Sequence, residues 1–185
     1  MKRTRIVVVL LVGIILVSGL ACGEGGESEP TLTPTPTSVH VIKPTVGTIP
    51  QGWYLSDEEP YGTYVDPDGT EWGEIEYTDT EDGDYILIYY GDVPSDLKGR
   101  ETDSDALISK AIEWSIMSEL DETGTVVAAG QTAGYTKKYG SAGEYNEMEI
   151  AFIVGSTCFD IYTEYYATTA NEAQVMSIIN SISIE

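Results

Sequence analysis

Tyr85-Ile86-Leu87-Ile88-Tyr89-Tyr90 is a run of six apolar residues, entered from Asp82-Gly83-Asp84 and left at Gly91, with Pro94 close behind. So short a run, bounded by turn formers, reads as a central strand covered on both faces. The stretch before it has a complementary pattern. From Glu71 to Thr78, the side chains of Trp72, Glu74, Glu76 and Thr78 fall on one side, and those of Gly73, Ile75 and Tyr77 on the other. That is the period of two expected of a strand.

Working outward, Trp53 to Ser56 and Tyr61 to Val65 read as two further short strands. Downstream, Thr102, Ser104 or Asp105 is placed to cap a helix. Leu107, Ala111 and Trp114, or Ile108, Ile112, Ile116 and Leu120, recur along it at four-residue spacing, and Gly124 is expected to close it. Thr125 to Ala129, Thr132 to Tyr139, Tyr145 to Val154 and Thr157 to Tyr166 follow as four strands, with turns at Gly130, Gly140 to Gly143 and Gly155-Ser156. A second helix opens at Thr169 with Glu172 at capping-box spacing. It carries an apolar stripe of Ala173, Val175, Met176 and Ile179, and Ser181 to Glu185 adds a short terminal strand. These elements predict an α+β domain: an antiparallel sheet of about six to eight strands covered by two helices, spanning residues 51–185.

Before the domain come two segments of different character. Lys2, Arg3 and Arg5 precede an uncharged stretch from Ile6 to Leu20, which leads into Ala21 and Cys22. A basic start, a short apolar core and a small residue before the cut make a secretory signal over residues 1–21, and the stretch is short of the ~20 residues of a comfortable membrane span. Residues 22–50 are rich in Gly, Ser, Thr and Pro, as in Thr31-Leu32-Thr33-Pro34-Thr35-Pro36-Thr37, and read as a flexible linker. His40 falls in this tether.

Gly19-Leu20-Ala21-Cys22 resembles the lipobox of prokaryotic lipoproteins. The resemblance implies that Cys22 is alkylated with a diacylglyceryl group and becomes the mature first residue. The alternative is that the segment stays as an uncleaved N-terminal anchor. Either way the domain is exported to the extracytoplasmic face of the membrane.

The chain carries 9 Lys and Arg against 31 Asp and Glu, a formal charge of −22. Removal of residues 1–21 takes away three positive charges and leaves 6 against 31, a balance of −25. Such a body lacks the clustered cations that nucleic acid requires. An anionic lipid surface repels it, so membrane attachment falls to the lipid anchor.

In the last third, Gly130-Gln131-Thr132-Ala133-Gly134-Tyr135-Thr136-Lys137-Lys138-Tyr139, the strand pair ending in Cys158-Phe159-Asp160-Ile161-Tyr162, and the closing Ala173 to Ile184 resemble the PsbP-like fold. That resemblance implies a noncatalytic accessory or binding domain in a prokaryotic lipoprotein; the export signal, tether, acidic body and absence of catalytic groups add the expectation of an envelope protein or other extracytoplasmic partner.

The residues themselves point the same way. His40 is the sole imidazole and lies in the tether, so Ser-His-Asp and Cys-His arrangements lack a base inside the domain. No Gly-rich phosphate loop precedes a helix, and no cofactor is implied. Cys158 has no thiol partner once Cys22 is lipidated, and on its strand it reads as a small buried hydrophobe.

Carboxylates are the remaining material. Asp66-Pro67-Asp68-Gly69-Thr70-Glu71 begins like a calcium loop, yet Glu71 and Tyr77 stand where an EF-hand has Gly and Glu. A hairpin turn is the simpler reading, with Asp66 and Asp68 as weak metal candidates. Asp79, Glu81, Asp82 and Asp84 form a second acidic turn. The alternative function is accordingly a calcium-dependent ligand binder or weak hydrolase using these loops, and adaptation to salt is a third explanation of the acidity. A concave pocket lined by Tyr and carboxylates would favour a ligand.

Overall fold

The computed structural model describes residues 41–184 apart from 68, 81, 82, 142 and 143. Cys22, His40, the stretch read as a secretory signal and the Thr-Pro tract lie outside the described residues. Among the described residues no helix is long and apolar enough to cross a membrane.

The elements in chain order are β1 (Thr45–Val46), β2 (Trp53–Val65), β3 (Glu71–Asp79), β4 (Tyr85–Asp92), α1 (Ser104–Trp114), β5 (Glu122–Ala128), β6 (Gln131–Lys138), β7 (Tyr145–Val154), β8 (Thr157–Tyr166), α2 (Thr169–Asn180) and β9 (Ile182–Ser183). Seven of the strands form one antiparallel sheet in the order β2-β3-β4-β8-β7-β6-β5. Two meanders, β2 to β4 and β5 to β8, are thus joined where β8 pairs with β4, and α1 carries the chain from one to the other. The fold is α+β, with a helix on each face of the sheet.

The alternation of β3 and β4 sorts their side chains between two cores. Ile75, Tyr77, Ile86, Ile88 and Tyr90 join Ile150, Phe152, Phe159 and Ile161 beneath Val175, Ile178 and Ile179 of α2. Trp72 and Tyr89 face the other way and pack with Ile153, Cys158 and the Ala106 and Leu107 of α1. The run at Tyr85–Tyr90 is therefore an interior strand buried on both sides, as six consecutive apolar residues require. Phe152 and Phe159, directly opposed across β7 and β8, stack at 4.7 Å between ring centroids.

Two glycines hold positions that a side chain would spoil. Ala129 and Gly130 both have positive φ, 50° and 73°, and form the two-residue turn between β5 and β6. Positive φ at both positions matches the right-handed twist of the flanking strands. Gly134 in β6 lies directly under α1. A Cβ there would sit 2.2 Å from the backbone of Leu107 and Ile108, so the absence of a side chain sets how closely the helix approaches the sheet.

Several sequence expectations shift. Helix α1 ends at Trp114, because Ser115 turns to an extended conformation (φ −61°, ψ 134°). Ile116 and Leu120 continue the helical spacing but are exposed. Gly124 does not close the helix. It sits inside β5, opposite Tyr135, where a Cβ would crowd the tyrosine ring at 3.1 Å. The cap of α1 is Asp103, which accepts from the backbone N–H groups of Asp105 and Ala106. Helix α2 is capped by Thr168 rather than Thr169. Glu172 reaches across to the Lys137 ammonium at 3.0 Å instead of closing a capping box. The two short strands read at 53–56 and 61–65 are one edge strand, β2, with two breaks of register, the second of which spans Pro60.

The linker boundary also moves. β1 pairs with β9, Thr45 opposite Ser183, and Val41 is buried in the α2-side core. Chain expected to be linker up to residue 50 is folded from Val41 onward.

Candidate functional site

The turn between β2 and β3 is built by backbone bonds from Gly69 N–H to the Asp66 carbonyl (2.8 Å) and from Asp66 N–H to the Thr70 carbonyl (2.9 Å). This is the hairpin that Asp66-Pro67 announced. The Asp66 carboxylate points back along the sheet and accepts the indole N–H of Trp72 at 2.8 Å. Trp72, the second residue of β3, faces the α1 side and is almost wholly buried. Its ring meets that of Trp114, at the end of α1, edge to face at 5.6 Å between centroids. This geometry suits the aromatic quadrupole.

These two indoles, the β2–β3 turn and Pro94 after β4 enclose an open cleft of about 280 Å3. Its charged wall is Lys110 and Glu113, one turn apart on α1. The Lys110 side chain is only 10% exposed, and its ammonium lies 2.8 Å from Asp96, 2.9 Å from Glu113 and 5.6 Å from the Trp114 ring centroid. Burial alone lowers its pKa. The bonds to Asp96 and Glu113 outweigh that effect and leave it raised, so the ammonium stays charged at neutral pH. The cleft therefore offers apolar ring surface, a fixed cation, and carboxylates on two sides. A volume just under the range of ordinary ligand pockets suits one side chain or a sugar-sized group, and is too small for a dinucleotide.

Further across the same face, the pairing register places tyrosines beside acids. Tyr85 donates to Glu164 (3.1 Å) and Tyr162 to Glu147 (3.0 Å), while Lys138 binds the second Glu147 oxygen at 3.1 Å. Burial raises the Tyr85 hydroxyl to about 12 and the Tyr162 hydroxyl further. Both stay protonated and serve as donors within the sheet. Tyr89, Tyr90, Tyr162 and Tyr165 are all buried, so these rings pack the sheet rather than present a binding face.

Of the weak metal candidates, Asp66 holds an indole and Asp68 lies outside the described residues. Asp84, of the second acidic turn, is fully buried and accepts from the Tyr166 N–H (2.7 Å) and the Asn171 amide (2.6 Å), tying β8 to the first turn of α2. Among the described residues no three His, Cys, Asp or Glu side chains gather as metal ligands. Cys158 is fully buried, and burial pushes its thiol pKa well up.

Sequence reading missed the cleft. Trp72 and Trp114 each belong to an inward-facing periodic stripe, but nothing local says that the two stripes meet. Nor was burial of Glu74, Glu149 and Asp160 on the α1 side foreseen, although alternation alone puts each on that side. Each is engaged within the fold. No protein-family model matches the chain, and no curated protein matches it.

Proposed function

We propose that this chain is a PsbP-like, noncatalytic binding module, moored to the extracytoplasmic face of the membrane through lipid on Cys22 and engaging an envelope partner. The observation that carries the binding role is the Trp72–Trp114 cleft, where aromatic surface and a compensated buried ammonium converge in an opening of about 280 Å3. The element order supports the PsbP-like reading: strands, a helix, four strands and a closing helix. Anchoring and export rest on the basic, apolar and Cys-terminated opening of the sequence.

A partner is held here by inserting one side chain or sugar-sized group against the indoles, with polar contacts to Glu113 and Lys110. The test is a photoreactive side chain placed at Glu113, on the exposed rim, and for comparison at Tyr54, at the end of β2 opposite the β2–β3 turn. A discrete adduct from position 113 that vanishes with Trp114→Ala, and none from position 54, is expected. Equal labelling from both positions, or from neither, contradicts the reading.

A further inference from the structure

We propose that β5 is a self-association edge, along which a second copy of this chain pairs antiparallel to continue the sheet. The two edges of the sheet differ. β2 carries Asp57, Glu58, Glu59 and Pro60 and two breaks of register, the devices that keep an edge strand from pairing. β5, Glu122-Thr-Gly-Thr-Val-Val-Ala, ends the sheet with none of these beyond Glu122 at its start.

Its unpaired side is well defined. Ala128 and Gln131 flank the two-residue turn and so form a hydrogen-bonded pair. Alternation then aims the backbone groups of Thr123, Thr125 and Val127 away from β6. All three residues are exposed, Val127 at 60%.

Charge leaves this edge open to a second copy. A copy of a chain bearing −22 is repelled by most of its own surface, yet from Thr123 to Gly143 there is no acidic side chain, the longest such run after Val41. A two-fold axis through Thr125 sets Thr125 against Thr125, Thr123 against Val127 and Glu122 against Ala128, so no like charges face each other. The axis is closed and isologous, giving a dimer rather than a filament.

The same axis, perpendicular to the sheet, brings the two α1 helices onto one face. Ile112, on the flank of α1 turned away from Lys110 and Trp114, is 43% exposed, and Ile116 beyond it is 56% exposed. With α1 seated over β6, three strand spacings separate the helices by ~14 Å, a gap that the Ile112 and Val127 side chains of both copies occupy.

The test uses the full chain carrying Cys22→Ser, in density-matched detergent. Thr125→Cys brings its two copies to a Cα separation of about 5.5 Å, within disulfide reach. Oxidation is expected to convert it to covalent dimer, while Thr63→Cys on the β2 edge stays monomeric. Thr125→Pro removes an outward N–H that has no hydrogen-bond partner among the described residues, and is expected to abolish the dimer seen by sedimentation while leaving the melting temperature near that of the parent. Dimer is also expected to increase with added NaCl, which screens the self-repulsion. A parent chain that sediments as monomer at high salt, crosslinking at position 125 no faster than at 63, or a Thr125→Pro dimer as tight as the parent's would each overturn the proposal.

Discussion

Replacing Gly134 by Ala adds one methyl group at the point where α1 touches the sheet. That carbon would lie 2.2 Å from the backbone of Leu107 and Ile108, where ordinary contact begins at 3.4 Å. The shortfall of 1.2 Å cannot be relieved by a rotamer change, because the obstacle is main chain. Helix α1 must lift, and with it Leu107 and Ala111, both fully buried. A radial gap of even 0.5–1 Å forfeits a quarter to a half of the dispersion energy across a contact. Overpacking of this kind costs about 3 kcal/mol, the upper part of its usual range. For a domain of this size that is a fall of roughly 6–12 °C in melting temperature. Thermal unfolding followed by far-ultraviolet circular dichroism measures it. Because α1 carries Trp114, the near-ultraviolet signal of the Trp72–Trp114 pair should weaken as well. Gly130→Ala is the comparison: its Cβ meets nothing within 4 Å, and its cost of about 1 kcal/mol comes only from a φ of +73°. A Gly134→Ala variant that melts like the parent, or loses less than Gly130→Ala, would refute the close-approach argument.

Asp84→Ala strips the acceptor from the Tyr166 N–H and the Asn171 amide, and is expected to cost about 2–3 kcal/mol in urea unfolding, with the midpoint lowered and the slope unchanged. Cys158 should stay unreactive toward thiol reagents until the domain unfolds; fast labelling of the native protein would contradict its burial. Tyr61 and Tyr85, raised by burial first and by neighbouring carboxylates, and Tyr135, raised first by its bond to Glu122, are each pushed up to about 12. The folded state holds these protons more tightly than the unfolded chain. Their contribution is therefore complete below pH ~10 and is lost as pH rises through about 12. A phenolate absorbance titration in which these tyrosines ionise near 10 with the fold intact would be evidence against it.

Patterns with short range were legible in the sequence. The period of two in Glu71 to Thr78, the apolar run at Tyr85 and the strands flanking Gly130 and Gly155 appear in the structure with small changes of boundary. Both helices were anticipated too, but the spacing of Ile112, Ile116 and Leu120 outran α1, since periodicity does not distinguish a buried stripe from an exposed one. What escaped was non-local. Thr45 and Val46 pair with Ser183 and Ile182 near the other end of the chain, Val41 joins the α2-side core, and a Thr- and Pro-rich composition gave no hint of either. The cleft likewise needs Trp72 and Trp114 from different layers, and its lysine is held by Asp96, from the β4–α1 connection, as well as by Glu113 of its own helix.

The claim on which the function depends is that this acidic domain is carried outside the cell and held there by lipid. Intact-mass measurement of the protein extracted from membranes tests it most directly. The account predicts a chain that has lost residues 1–21 and begins at Cys22 with acyl mass added. A soluble chain with Met1 retained and no added mass would contradict it.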